Sequence, residues 1–390
     1  MILKSIALAA LLGAGPADTE LTDTLRRPHA VSATTPLFGL HWHRPIVRTG
    51  RHRTVGESFG KPGIATGAGV VIVGNGEGDV YALRLKDGGA VWRYSYGVPF
   101  ESAVTIAPFG DDESEQAIIV ARDGALLSFN VKTGDILWQA KLNAESRAPA
   151  TLAGSRLLIA TAKNTVYAID KDSGIIGWQT GRAPSLELSV VGHSAVAVAG
   201  NLAIATFSDG YVEAYRLLDG AAQWSQQLSL KGGEFIDADA DPVVAGDKVF
   251  VASYSDGIYA LAKKDGKVLW NRPAPSVTSL VAHRDLLIAG SADGYVWGLS
   301  QANGEMLYRT RLRPGALSRM EVRKGLIVFG NGDAGIIVLN AANGRPLQAE
   351  AFGDRIAGDP AWDSENKHLA VLGSRGEVYA LRFGGPPLGH

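Results

Sequence analysis

Ser255-Asp-Gly-Ile-Tyr-Ala-Leu-Ala-Lys-Lys-Asp-Gly-Lys-Val-Leu-Trp270 decides the fold, because variants of this stretch recur from one end of the chain to the other. Residues 258–261 form an apolar run, Asp265-Gly266 supplies a turn, and 268–270 begin a second run, so the unit reads as a β-hairpin. The glycine admits the positive φ that such a turn favours. A lone hairpin is marginal in water, so the repetition carries the argument.

The other copies keep one phase. Gly78-Asp-Val-Tyr-Ala-Leu83 leads to Asp87-Gly88 and Trp92, and Gly124-Ala-Leu-Leu-Ser-Phe129 to Thr133-Gly134 and Trp138. Asn164-Thr-Val-Tyr-Ala-Ile169 leads to Ser173-Gly174 and Trp178, and Gly210-Tyr-Val-Glu-Ala-Tyr215 to Asp219-Gly220 and Trp224. Then come Gly294-Tyr-Val-Trp-Gly-Leu299 with Asn303-Gly304 and Tyr308, and Gly335-Ile-Ile-Val-Leu339 with Asn343-Gly344, where Gln348 stands in place of the large aromatic. In all seven the ladder position follows the turn glycine by four residues, and the glycine follows the last apolar residue of the preceding strand by five.

An eighth copy, Gly376-Glu-Val-Tyr-Ala-Leu381, begins normally but has no turn and tryptophan after it. The missing piece lies at the other end: Trp42, in Leu40-His-Trp-His-Arg-Pro45, is a tryptophan strand with no hairpin before it. Intervals along the ladder from Trp42 to Gln348 are 50, 46, 40, 46, 46, 38 and 40 residues, the spacing of four-stranded propeller blades. The split unit predicts an all-β, eight-bladed β-propeller of four-stranded antiparallel blades, closed by an N-terminal strand that completes the last blade. Closure is favoured because each small sheet has apolar faces that only neighbouring sheets can cover. Residues 148–152 with 157–160, 241–244 with 249–252, and 286–289 supply further strands, and no stretch between them keeps a helical period.

Composition agrees: 48 glycines, 46% hydrophobic and 20% charged residues suit a turn-rich globular β protein. Length alone suggests two domains, but the repeat crosses the middle uninterrupted, so residues 36–383 read as one. A net charge of −1 and no basic stripe with interleaved aromatics argue against nucleic acid as a partner. Met1-Ile-Leu-Lys4, the apolar run 5–14 and the small residues Gly15-Pro-Ala17 read as a signal peptide over 1–17, with an unstructured start as the alternative. Residues 18–35 are polar and read as a flexible tether, and 384–390 as a C-terminal tail. The absence of cysteine forbids disulfides and thiolate metal sites.

The blades resemble the quinoprotein-type (PQQ-like) propeller repeat, and within it the BamB family, propeller subunits of the bacterial outer-membrane β-barrel assembly (BAM) machinery. The resemblance covers residues 36–383 and is most specific at Phe235-Ile-Asp-Ala-Asp-Ala-Asp-Pro-Val-Val244 with Val249-Phe-Val-Ala-Ser-Tyr254, and at Pro184-Ser-Leu-Glu-Leu188. It implies that Leu186 and Leu188 are apolar contacts, and Asp237 and Asp239 acidic contacts, to the periplasmic POTRA domains of a BamA-like barrel insertase. It further implies a non-enzymatic scaffold at the periplasmic side of the outer membrane, a monomer within a complex; guidance of unfolded outer-membrane proteins as clients, by strand addition at sheet edges or along the remaining rim, is a conjecture beyond the resemblance.

The residues themselves leave alternatives. Alternating leucines between blades can be exposed anchors or core positions of the next inner strand, and the aspartates can be partner contacts or turn chemistry. Two departures from the family stand out: no arginine follows Leu188, and Gly15 occupies the place of the lipidated cysteine, which implies a form without an acyl anchor.

Other chemistries find less footing. The quinone-dependent dehydrogenases that share this repeat commonly carry an adjacent cysteine pair, absent here, so no cofactor is expected. Asp237-Ala-Asp-Ala-Asp241 resembles the start of a calcium loop, but Pro242 and Lys248 stand where such a loop needs glycine and glutamate. His41 and His43 share a strand face with no third ligand evident, so no metal is expected. Gly74-Asn-Gly-Glu-Gly78 precedes a strand and lacks the helix N-terminus and lysine of a phosphate cradle, and no serine nucleophile elbow occurs. The competing function is an exported, quinoprotein-like ligand-binding or sensory propeller.

Overall fold

The middle strands of each repeat are apolar at nearly every position, which suits a strand covered on both faces. In the computed structural model, which describes residues 18–20, 36–47, 63–65, 68–110, 114–183, 194–228, 240–253, 255–312, 317–332, 334–356, 358–363, 365 and 367–384, this is what happens. Val70–Gly74 and Leu326–Asn331 are buried at every residue, whereas the outer strand Ala90–Ser95 is half-buried only at alternate positions.

Eight antiparallel four-stranded sheets form the blades. Blades 1 to 7 span 63–95, 105–141, 151–181, 197–227, 243–272, 277–311 and 321–350, and blade 8 joins 361–383 to 38–45. In blades 1 to 7 the strands follow chain order from first to outer, and the first strands of blades 8, 1 and 2, and those of blades 3 to 7, touch in succession around the axis. Buried apolar residues fall into eight clusters, each lying between two successive blades. One of them, with Trp42, Ala380, Val73 and Leu83, fills the junction of blades 8 and 1. The core is therefore a set of interblade layers, and a ring leaves none of them open.

The predicted closure is present: Phe38–Pro45 pairs antiparallel with Glu377–Phe383, and Trp42 stands opposite Ala380. Observed strands extend one or two residues past predicted edges at Arg156–Thr161 and Leu286–Ser291, whereas the strands predicted over 148–152 and 241–244 begin later and run one residue further, at Thr151–Ala153 and Val243–Ala245. Within the segment read as a tether, Asp18–Glu20 forms a short strand parallel to the outer strand of blade 6, Met306–Arg311, giving that sheet a fifth member. The expected signal peptide, residues 1–17, and most of the tail lie outside the described residues.

The fixed phase of the repeat has a physical cause at the perimeter. Each ladder tryptophan reaches across to the hairpin of the following blade and donates its indole N–H to a carbonyl there. Trp42 donates to Leu85 (2.8 Å), Trp92 to Val131 (2.9 Å), Trp138 to Lys171 (2.9 Å) and Trp178 to Leu217 (3.0 Å). Trp224 donates to Lys263 (3.0 Å) and Trp270 to Gln301 (3.2 Å), and Tyr308 substitutes its hydroxyl, 2.9 Å from the Ala341 carbonyl. Each accepting carbonyl lies three residues before the turn glycine, and the same ring covers that glycine. In the hairpin that opened the sequence reading, the turn takes four residues, 263–266, closed by Gly266 N–H to the Ala262 carbonyl at 2.8 Å. Gly266 has φ 74°, and a Cβ there would lie 2.5 Å from the Trp224 ring, so both backbone and space demand glycine.

Gln348 fits the same logic. The eighth blade has no turn glycine to cover, because its outer strand comes from the N-terminal part of the chain. The Gln348 amide instead grips that strand's backbone: its Oε1 accepts from Phe38 N–H (3.0 Å) and its Nε2 donates to the Phe38 carbonyl (2.8 Å). A two-sided amide replaces a one-sided indole where the ring is sewn shut.

Turn aspartates add an electrostatic element. Asp219 pairs with Arg216 and accepts from Ala221 N–H, and these partners pull its carboxyl down to about 2. Because the folded value is depressed, the stability it supplies is present above the ordinary carboxylate range near about 4 and is lost as pH falls through the folded value.

Two outcomes follow. Gly266→Ala lowers the free energy of unfolding by about 2–4 kcal/mol, measured by urea titration, from the strained φ and the displaced Trp224 ring. The difference in stability between wild type and Asp219→Ala, measured against pH, is constant from pH 7 down to about 4 and vanishes as pH approaches 2.

Candidate partner-binding rim

Leu186 and Leu188 lie in 184–193 and Asp237 and Asp239 in 229–239, and both segments are outside the described residues. What the structure defines is where these two connectors are rooted. One runs from the outer strand of blade 3, Ile176–Gly181, to the first strand of blade 4, Ala197–Ala199. The other runs from the outer strand of blade 4, Ala222–Gln227, to the first strand of blade 5, Val243–Ala245. They therefore leave neighbouring blades at the same rim.

Three ends are fastened to blade 4 itself. Arg182 binds Asp209 at 2.7 Å and also Glu213, and its guanidinium carbon lies 3.7 Å from the centre of the Tyr211 ring. Glu213 is buried and further accepts from Ser225 (3.0 Å) and the Tyr215 hydroxyl. Burial and this neighbouring carboxylate push the Tyr215 phenol far above its ordinary value, so it stays a proton donor. Ser194 shares a hydrogen bond with Thr206 of the second strand, and Leu228 N–H donates to the Gly210 carbonyl at 3.0 Å.

The remaining end reaches the axis. Asp241 accepts from Ala195 N–H through Oδ1 (2.6 Å) and pairs through Oδ2 with Arg319 Nε (2.9 Å). Arg319, just ahead of the first strand of blade 7, Glu321–Arg323, also touches Asp359: its N–H donates to Asp359 Oδ1 at 2.8 Å, and a guanidinium nitrogen lies 3.3 Å from Oδ2. Ala195, Asp241, Arg319 and Asp359 each stand two residues before the first strand of their blade. One side chain thus spans from blade 7 to both blade 5 and blade 8. The space left between Asp241, Arg319, Asp359, Ser279 and Pro149 is a cavity of about 110 Å³.

The aspartate-rich stretch therefore divides: its last carboxylate, Asp241, is a structural anchor turned toward the axis, which bears on a calcium loop as well as on partner contact. His41 and His43 do not converge on a shared ligand; His43 bonds Glu377, while the His41 ring lies 5.9 Å from that of His368. Among the described residues no cluster of three or more histidine, aspartate or glutamate side chains is arranged to hold a metal. Asn75, in the glycine-rich loop, is buried and ties Ile46 to the loop, its Nδ2 donating to the Ile46 carbonyl at 2.7 Å. Arg319 and Asp359 escaped notice in the sequence. The available signal was Asp-Pro at 241–242 and again at 359–360, each just before an apolar strand.

Residues 40–150 and 112–307 match the family described as outer membrane protein assembly factor BamB. Proteins of that name from Moranella endobia and Burkholderia pseudomallei are each 24% identical to the chain. The first alignment covers 80% of this chain and 82% of the relative, the second 97% of each. The crystal structure of BamB from Moraxella catarrhalis is similar at TM-score 0.70 and 21% identity, over 89% of this chain and 98% of that one. A quinohemoprotein alcohol dehydrogenase from Pseudomonas putida also reaches 0.70, at 11% identity over 90% and 77% of the two chains. At these identities the structural likeness is one of fold.

Proposed function

Because the chain belongs to the outer membrane protein assembly factor BamB family, we propose that it serves outer-membrane protein assembly as a non-enzymatic scaffold. Its rim between blades 3 and 5 docks the periplasmic domains of a BamA-like insertase. The observation that carries this reading is the anchoring of both connectors: Arg182, Ser194 and Leu228 are fixed to blade 4, and Asp241 to the axis. A connector with fixed ends presents side chains at low entropic cost, the condition under which a few apolar residues act as hot spots. Leu186 and Leu188 would supply the apolar contacts and Asp237 and Asp239 the charged rim, at the periplasmic face of the outer membrane.

The cavity at the axis bears on the competing ligand-sensing reading. At about 110 Å³ it is well below the roughly 300 Å³ at which pockets for small organic ligands begin. For clients, strand addition is the mode the architecture favours, since blade outer strands offer unpaired edges. Asp18–Glu20 on the outer edge of blade 6 is an instance of an extended segment taken up in this way.

Leu186→Ala combined with Leu188→Ala abolishes co-purification with the insertase from envelope extract and leaves the thermal unfolding midpoint within a degree or two. A fall of many degrees would place both leucines in the core and overturn the assignment.

A further inference from the structure

The axis holds a side chain that the repeat does not require. In two blade junctions the same bond recurs: the residue two before a first strand donates its N–H to the aspartate at the equivalent place in the next blade. Ala195 does so to Asp241 at 2.6 Å and Arg319 to Asp359 at 2.8 Å. Arg319 alone adds a side chain to the pattern, joining both carboxylates through its guanidinium. An aspartate holding a backbone N–H in a cramped site needs its second oxygen satisfied as well, and a charged fork does this better than water. Arg319 is roughly a quarter exposed and sits across a narrow cavity, so its bonds are shielded from bulk solvent more than surface pairs are.

We propose that Arg319, from blade 7, is the positioning residue for the docking rim of blades 3 to 5. Its hold on Asp241 fixes the carboxylate that receives Ala195 N–H. The ends of the two connectors, at Ala195 and Asp241, are thereby locked to each other and to the far side of the ring. Arg319 touches no partner; it sets the spacing at which the partner contacts are offered. This rests on the docking reading above, but the anchor can be tested without any partner.

The test uses the full chain and two readouts, amide hydrogen exchange at Ala195 and binding of purified periplasmic domains of the insertase. Arg319→Ala speeds exchange at Ala195 about tenfold or more and weakens binding by a similar factor, through a faster off-rate. Arg319→Lys, which keeps the charge without the fork, recovers part of both. Gln348→Ala serves as a control: it loosens the perimeter and lowers stability, yet leaves Ala195 exchange and binding as in wild type. Wild-type exchange at Ala195 in Arg319→Ala overturns the anchor, and equal loss of binding in Gln348→Ala reduces Arg319 to a general stabiliser. A wild-type chain that does not bind overturns the docking reading instead, and Ala195 exchange still decides the anchor.

Discussion

The structure depends on one contact made at successive blade junctions: an aromatic ring on the outer strand of one blade laid over the turn glycine of the next, with its polar atom bonded to a carbonyl three residues before that glycine. The ring removes a large apolar surface from water, worth about 4–6 kcal/mol as an upper estimate for an indole. Its hydrogen bond then selects one register out of many. Because the glycine must have positive φ and no side chain, the two halves of the contact constrain each other, and the spacing between them becomes part of the sequence. Both members of each contact are short-range in the chain, about one blade apart, so a propeller can be assembled from nearest-neighbour junctions. Only the junctions that use the N-terminal strand need contacts across almost the whole chain.

That locality explains what could be read without coordinates. Gly266 and Trp270 announce the hairpin, and the constant step from apolar residue to glycine to aromatic announces the number of blades. Trp42 without a hairpin and Leu381 without a tryptophan announce the closure. Gln348 looked like an exception and proved to be the closure seen from the other side: with no turn to cover, the position needs a group that can both donate to and accept from the Phe38 backbone. Asp18–Glu20 was not legible, because three polar residues carry no apolar period and their pairing depends on an edge nearly 300 residues away.

The proposed docking rim was legible in part. Leu186, Leu188, Asp237 and Asp239 stand out through family resemblance and not through any rule of packing, and they lie outside the described residues. What fastens the described ends flanking their segments is made of Arg182, Glu213, Asp241 and Arg319, whose partners are set by three-dimensional neighbourhood. The recurrence of Asp-Pro before two first strands is a trace of the axial network, but among the described residues Arg319 has no counterpart in other blades and so leaves no periodic mark. Perimeter and axis divide the labour: indoles fix how blades follow one another, while the arginine fixes how two connectors on one rim sit relative to the opposite side.

The central claim is that the ring is closed and opens as a whole. It is tested most directly by NMR-detected exchange of the six clamp indole protons, those of Trp42, Trp92, Trp138, Trp178, Trp224 and Trp270, across a urea series. A closed ring predicts that all six lose protection together at the concentration of global unfolding. Exchange of Trp42 at low urea, with the other five still protected, would show a seam that opens alone and would contradict the account.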